Sequence, residues 1–588
     1  MKRLAPILLA LASGAATALA FPLAIPAGSL RELDPAGRLE LLAWFSLVPG
    51  LWALERARSG WRALGLGVLA GAACFFGTIW WVSHAMTAFG GLSLAFSVFA
   101  LSLLVLFMAA HWGGAFAVAW TLRRRLGWPL WVHLPFVWAA FELVRDHLFT
   151  GFPWANLGYS QARHLRVAQL AAVLGVYGIA ALVAFVNAVV LEGVRAAVER
   201  RRPPLPLAAA TVALLAVVVG FGELHLRSVR ARMAAAPTLT VAVVQANVSQ
   251  DVKNAARENA DAILARLVPL TVEADRAGAD LVAWPEAAYP YTVRPDLRTF
   301  AVPGSGLPPL SRAHLLLGAS TFQRTRIGGR VVPLYENSVF LLAPDLSVRG
   351  RYVKNHLVPF GEYVPLANWL PFVGHLVPSL APASPGRTLD VLAFPRDGGA
   401  GSPVASAGPM PGAADPPPRG AGEVRIAPMI CFDAIFPEIN VAFARQAPDL
   451  LVNPTNDAWY GYSSGPYQFL AIVRMRAIEA GRAVARPAYS GVSALILPTG
   501  ELAPGALDVG PVDRDLAPDP DEPARLLVGK VPLLEGRTFY VATGDAFAYA
   551  CGIAMLAALA AAVWAGRRRP AERRTESAAA VHDRRDLG

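Results

Sequence analysis

Glu286 in "LVAWPEAAYP", Lys354 and Glu362 in "RYVKNHLVPFGEYVP", and Cys431 in "MICFDAIFPE" are residue types that strand packing does not ask for. A thiol attacks a carbonyl as the thiolate, so it needs a base or a nearby cation, and a glutamate can take the proton and return it to a leaving group. A compact ammonium can donate to the developing oxyanion in a space too small for a planar guanidinium. Cys, Glu and Lys are therefore a sufficient acyl-transfer set. Each has an ordinary reading alone: Glu286 as a surface acid, Lys354 as a solvated strand end, Cys431 as a small core residue. Their combination favours chemistry. Lysine use supports it, because Lys2, Lys253, Lys354 and Lys530 are the only lysines among 53 basic residues. The other three lysines have no comparable sequence context.

The elements that must position these residues divide into two kinds. The 588-residue chain is 55% hydrophobic and 16% charged, the balance of a membrane protein. Apolar runs near 5–28, 63–85, 91–121, 128–148, 167–192, 204–222 and 540–565 approach or exceed the roughly 20 residues a crossing takes. A shorter run at 39–54 brings the count to about eight. With the N-terminus inside, seventeen Lys and Arg fall on the inner side, in clusters beginning at Lys2, Arg56, Arg123, Arg195 and Arg567, against five outside. The formal charge of +11 is thus read as topology, and nucleic acid is not an expected partner. The start "MKRLAPILLALASGAATALA" also has the form of a signal peptide, with retention as a helix favoured. Glu142, Arg145 and Asp146 are expected close enough to the interface to be solvated, which speaks against transport.

This topology places 225–538 on the outer face as an α/β domain, between a membrane domain (1–224) and a last crossing helix (539–566) with a basic tail (567–588). Strands are expected at 238–247, 279–286, 314–321, 337–344, 425–433, 449–456, 492–498 and 525–533, with helices at 253–277 and 464–482. Residues 382–423, dense in Gly, Pro, Ala and Ser, read as a surface insertion without chemistry. Three separated cysteines make no disulfide framework, and no ligand spacing implies a metal or other cofactor. "GYSSG" matches the serine-hydrolase elbow at Ser463, but the only later histidine, His582, lies in the tail assigned to the opposite side. His314, His356 and His375 keep a Cys-His pair conceivable.

Glu286 after "WP", Lys354 in "KNHLVPFGEYVP" and Cys431 in "CFDAIFPE" resemble the Glu-Lys-Cys triad of the nitrilase superfamily. With the multi-span flanks, "TGFPWANLGYSQ" (150–161) and "NDAWYGYSSGPYQ" followed by "RMRAIEAGR", the chain resembles that superfamily's membrane-embedded family, the apolipoprotein N-acyltransferases. The resemblance implies an αββα sandwich beside the membrane helices. It further implies acyl transfer from a phospholipid, such as phosphatidylethanolamine, through a Cys431 thioester to the α-amino group of a diacylglyceryl-modified apolipoprotein. Cys431 is then nucleophile, Glu286 base and acid, Lys354 oxyanion stabiliser, and Glu362 their support. The implied setting is a monomer in the bacterial inner membrane with its catalytic domain on the periplasmic side. Phe432 and Asp433 depart from the family's usual Tyr-Glu, so their supporting duty is open.

"VPLANWLPFVGHLVPSLAP" (364–382), with Trp369, is an apolar, proline-broken stretch suited to dip into a lipid leaflet. Trp154, Trp369, Trp459 and Tyr460 are candidates for an acyl or headgroup pocket, with an interfacial aromatic belt as the plainer reading. A membrane-anchored nitrilase-type amidase and a non-catalytic membrane protein are the alternatives.

Overall fold

The structure is a computed structural model that describes residues 4–583 except 364–382, 397–421, 510–523 and positions 28, 35, 89, 249–251, 254, 328–329, 360, 462 and 506. Trp369, His375 and most of the 382–423 insertion lie outside the described residues.

Helices α1 (Ala5–Leu19), α2 (Val48–Glu55), α3 (Gly60–Ile79), α4 (Trp81–Ala88), α5 (Leu94–Leu126), α6 (Leu130–His147), α7 (Ala171–Val198) and α8 (Leu205–Ala235) come first. Of these, α3, α5, α7 and α8 are long and apolar enough to cross a membrane, as is the Ala546–Gly566 stretch near the C-terminus. The expected span 39–54 is broken into a 3-10 turn (Leu39–Leu42), a single turn (Ala43–Ser46) and α2. Pro49 explains the break, since proline is tolerated in a helix's first turn and not inside it. Eight residues of helix rise only about 12 Å.

The bundle packs backbone to backbone through small residues. A Cβ on Gly67 would lie 2.5 Å from the Trp112 carbonyl oxygen, and one on Gly71 would lie 2.8 Å from Ala109 Cα, so α3 and α5 depend on these glycines. At the end where α2, α5 and α7 finish, Arg123 (3.4 Å) and Arg195 (3.0 Å) converge on Glu55. The expected solvation of Glu142, Arg145 and Asp146 is not observed; all three are buried. The loop after α6 folds back over them. Glu142 Oε1 accepts from Leu157 N–H (2.7 Å), Asp146 Oδ2 from Asn156 (2.6 Å) and the Tyr177 hydroxyl (2.8 Å), and Arg145 donates to Asn156 Oδ1. These charges brace the loop at 148–161.

Two six-stranded sheets follow. The first has β1 (Thr238–Gln245), β2 (Leu281–Ala283), β3 (His314–Ile327), β4 (Arg330–Leu342) and β5 (Val348–Val353) in order, with β12 (Arg525–Pro532) outside β1. The second runs β6 (Leu392–Pro395), β7 (Glu423–Pro428), β8 (Leu450–Val452), β9 (Ala483–Arg486), β10 (Gly491–Ile496) and β11 (Leu507–Val509). β1, β2 and β3 are parallel, as are β7, β8 and β9, and the outer pairs are antiparallel. "TLTVAVVQ" shows why the sheet is inside. Leu239, Val241 and Val243 share a core with Ile426, Leu450 and Val484 of the second sheet, while Ala242 and Val244 pack with Ile263 and Leu267 of α9 (Ala260–Arg276). Period-2 alternation with both faces apolar makes a layer buried on both sides. Against the second sheet lie α10 (Pro437–Arg445) and α11 (Gly465–Ala480), completing αββα. α12 (Phe539–Thr543) and α13 (Ala546–Asp583) close the chain.

α11 is buried along most of its length because it also faces the membrane helices. Gln468 Oε1 accepts from Trp154 Nε1 (2.8 Å), and Arg476 donates to the Tyr159 hydroxyl (2.8 Å). The loop at 148–161 therefore ties the sheets to the bundle.

Candidate active site

The parallel strands end side by side, and their loops carry the chemical residues. Glu286 lies three residues beyond β2, Lys354 directly after β5, and Cys431 opens a 3-10 turn (Cys431–Ile435) just past β7. Cys431 was expected inside a strand spanning 425–433. The strand stops at Pro428, and Cys431 has φ +45°, a left-handed conformation uncommon for a residue with a Cβ. Its N–H donates to the Pro454 carbonyl at 2.8 Å, which pins the turn to the end of β8. The resulting elbow presents Sγ to Glu286.

Cys431 Sγ is electrostatically coupled to the Glu286 carboxylate and accepts from the Thr455 hydroxyl at 3.4 Å, with Asn456 N–H beside it. Glu286 Oε1 accepts from Lys354 Nζ at 3.1 Å and from Asn337 Nδ2 at 2.7 Å. Lys354, 1% exposed at its side chain, also pairs with Glu362 Oε2 at 2.9 Å, and Asn337 bridges to Glu362 Oε1 at 3.1 Å. All four expected residues thus meet in one network. Asn337, Thr455 and Asn456 were not anticipated, since neutral polar residues near strand ends look like ordinary turn formers.

Burial pushes the Cys431 thiol up to about 12, the Glu286 charge adds to the rise, and Lys354 with the Thr455 hydrogen bond opposes it. Burial also raises the Glu286 carboxyl, but the Lys354 and Lys253 ammoniums outweigh it and hold the group below the usual carboxylate value. Burial lowers Lys354, and Glu286 and Glu362 more than reverse it, so the ammonium persists. The resting site is a neutral thiol coupled to a carboxylate that an ammonium holds.

Asp433 does not face the nucleophile. Its Oδ2 accepts from the Tyr352 hydroxyl (2.8 Å) and Ile430 N–H (3.1 Å), and its Oδ1 from His356 N–H (2.8 Å), so it fastens the elbow to β5 and the loop beyond it. Burial raises it to about 7. Phe432 turns toward the bundle, with Phe152 at 6.1 Å and Phe436 at 5.2 Å between ring centroids. His356 stacks on Phe436 at 3.6 Å, donates from Nε2 to the Thr150 carbonyl at 2.9 Å, and is pushed down to about 4 by burial. That ring is committed to the loop rather than to Cys431. Ser463 Oγ accepts from Gly465 N–H at the start of α11.

Trp154 and Tyr460 are buried in an aromatic cluster with Trp81, at 5.0 and 4.6 Å, and Phe152 stacks on Trp154 at 5.9 Å. Trp459 is half-buried beside them. Tyr460 is electrostatically coupled to Cys431 and Glu286, so this cluster borders the site. Lys253, which the sequence offered no reason to single out, donates from Nζ to the Glu286 carbonyl oxygen at 2.9 Å. It lies 33 residues before Glu286 in the sequence, and only the fold brings its loop over the end of β2.

Residues 13–189 match the family described as apolipoprotein N-acyltransferase N-terminal domain, and 240–510 match that described as carbon-nitrogen hydrolase. The apolipoprotein N-acyltransferase of Geobacter metallireducens is 35% identical over 550 residues, covering 92% of this chain and 94% of its own. Those of Rhizobium rhizogenes and Caulobacter vibrioides are each 31% identical, covering 82% and 85% of this chain and 87% and 86% of their own. A solved Saccharomyces cerevisiae member of branch 10 of the nitrilase superfamily aligns over 50% of this chain and 90% of its own, at 16% identity and a TM-score of 0.32.

Proposed function

The chain belongs to the apolipoprotein N-acyltransferases, and on that premise we propose that it moves a phospholipid acyl chain through a Cys431 thioester to the α-amino group of a lipidated apolipoprotein. It is an acyltransferase of lipoprotein biosynthesis with membrane-spanning helices. In the first half-reaction Cys431 Sγ attacks the donor ester carbonyl as its proton passes to Glu286. Lys354 donates to the oxyanion, and Glu286 returns the proton to the departing lysophospholipid alcohol. In the second, the acceptor amine attacks the thioester, Glu286 takes an amine proton, and the thiolate leaves and recovers a proton. Glu362 and Asn337 keep Lys354 aimed at Glu286.

One observation carries the reading: the Glu286 carboxylate holds the Lys354 ammonium at 3.1 Å and is electrostatically coupled to the Cys431 thiol, in a chain with apolar spanning helices. The aromatic cluster of Trp154, Trp459 and Tyr460 serves as a wall for the acyl chain. Residues 225–538 act as the catalytic unit on the periplasmic side of the inner membrane. The basic clusters gathered on Glu55 support this orientation. Phosphatidylethanolamine is the proposed donor and a diacylglyceryl-modified apolipoprotein the acceptor.

Intact-protein mass spectrometry after incubation with phosphatidylethanolamine tests this. The reading expects one acyl addition on Cys431, removed by an acceptor lipopeptide and missing in Cys431→Ala and Cys431→Ser. N-acylation retained by Cys431→Ala overturns it, and ammonia release from a soluble amide without any adduct moves the assignment to an amidase.

A further inference from the structure

We propose that Lys253 is a positioning residue of this site: its ammonium grips the backbone carbonyl of Glu286 and completes the charge balance that keeps the Glu286 carboxyl ionised and ready for the Cys431 proton. The proposal builds on the roles given to Cys431 and Glu286 above.

Lys253 sits where a charge has consequences. Nζ is 2.9 Å from the Glu286 carbonyl oxygen and 4.5 Å from the centroid of the Tyr489 ring, whose π face suits a cation. Tyr489 is itself fixed to the site. Its N–H donates to the Thr455 carbonyl at 3.0 Å, and its carbonyl accepts from Asn247 N–H at 2.9 Å. Thr455 is the residue whose hydroxyl donates to Cys431 Sγ. The ammonium is thus clamped between the loop of the base and the strand end that holds the nucleophile. Without it, Glu286, Glu362 and Lys354 leave one uncompensated negative charge in a buried site, which is costly. With it, the resting site is neutral, and the charge passing from carboxylate to sulfur stays within reach of two ammoniums.

Glu286, Cys431, Lys354 and Glu362 all face Lys253, and Arg266 lies beyond Tyr489, donating to the Asn247 carbonyl at 2.8 Å. Burial pulls Lys253 down to about 8 against the opposing pull of Glu286 and Cys431. Glu286 is held low, Lys354 high, and the thiol near 12. Lys253 is therefore the group of this set that changes charge just above neutrality.

The test is the pH profile of Cys431 acylation by phosphatidylethanolamine in mixed micelles without acceptor amine, using the full chain, Lys253→Gln and Lys253→Arg, each checked for folding by thermal melt. Gln keeps a donor to the carbonyl but no charge, so its acid limb moves up by about one pH unit and its fall above pH 8 disappears. Arg keeps the charge, so its acid limb stays and its alkaline fall moves well above that of the parent. Equal loss in both variants with unmoved limbs reduces Lys253 to a structural brace and overturns the proposal. Iodoacetamide labelling of Cys431 at pH 7 is read in parallel: Gln slows it about tenfold and Arg does not. Labelling that follows the charge while phospholipid fails to acylate the unaltered protein leaves Lys253 in place and removes the phospholipid reading instead. Labelling indifferent to the charge overturns Lys253.

Discussion

Gly318→Ala isolates the placement of the base from its chemistry. Gly318 lies on β3 opposite Val339, in a strand conformation open to any residue, so the backbone alone would accept alanine. Space would not. A Cβ there would stand 2.3 Å from the Pro285 carbonyl oxygen, 2.7 Å from Ala287 N and 3.2 Å from the Glu286 carbonyl carbon. Reaching the 3.0 Å that real Cβ atoms keep takes a retreat of about 0.7 Å, from 2.3 to 3.0 Å. The obstructing atoms are backbone and cannot rotate aside, so Glu286 must move with them. The 2.7 Å bond from Asn337 and the 3.1 Å bond from Lys354 lengthen together. A misplacement of about 1 Å costs roughly a hundredfold in rate, so about 30- to 100-fold is expected here, with about 1–3 kcal/mol of stability lost to overpacking. The matched control is Gly529→Ala in β12, whose Cβ would meet only the flexible end of Leu495 at 2.7 Å. Steady-state N-acylation of a lipopeptide should show the Gly318→Ala loss in kcat, with donor KM little changed and Gly529→Ala within about threefold of the parent. Equal activity of the two variants would refute the claim that the Pro285–Ala287 backbone rests on Gly318 and sets the position of Glu286.

Lys354→Arg should lower kcat by about 10²- to 10³-fold, because a side chain 1% exposed between two carboxylates leaves no room for a guanidinium; kinetics with a matched melt checks this. Asp433→Asn should remove a pH dependence of stability. Asp433 binds its proton more tightly folded than unfolded, so its contribution is full at low pH and is lost as pH rises from about 4 to about 7. The variant should therefore gain on the parent over that range, by up to about 4 kcal/mol, read from denaturant melts at both ends. Asp457→Asn strips the partner from the fully buried Arg486, 2.9 Å away, and should cost about 3–5 kcal/mol. It also leaves a weaker, uncharged acceptor beside Thr455 Oγ1 (3.2 Å), whose one proton Asp457 and Cys431 Sγ compete for, so Cys431 labelling should change with it. Unchanged melting and labelling would show that this pair does not support the nucleophile.

Five of the eight expected membrane spans, the αββα layers and the central residues were legible because each leaves a local record. Crossing helices need long apolar runs, and strands buried on both faces need runs such as "TVAVV". Cys431, Glu286, Lys354 and Glu362 stood out as charged or reactive types at the ends of such runs. The break at 39–54 was less legible, since hydropathy does not register that Pro49 restarts a helix. Glu142, Arg145 and Asp146 were misplaced because hydropathy reports depth along a helix and is blind to a loop folding back over its end. The strands at 348–353, 392–395, 483–486 and 507–509 were too short or too polar to announce themselves.

What the sequence alone determined is what depends on near neighbours along the chain: where helices cross, where strands run, and which residue types could do chemistry. Only the tertiary structure decided which of these types meet. It set Cys431 on an elbow rather than within a strand, turned Asp433 and His356 away to bracing contacts, and brought Asn337, Thr455 and Lys253 to the site. Contacts between residues tens to hundreds of positions apart follow from sheet order and loop closure, and the pKa of each buried group follows from those contacts. Neither is written in any local stretch.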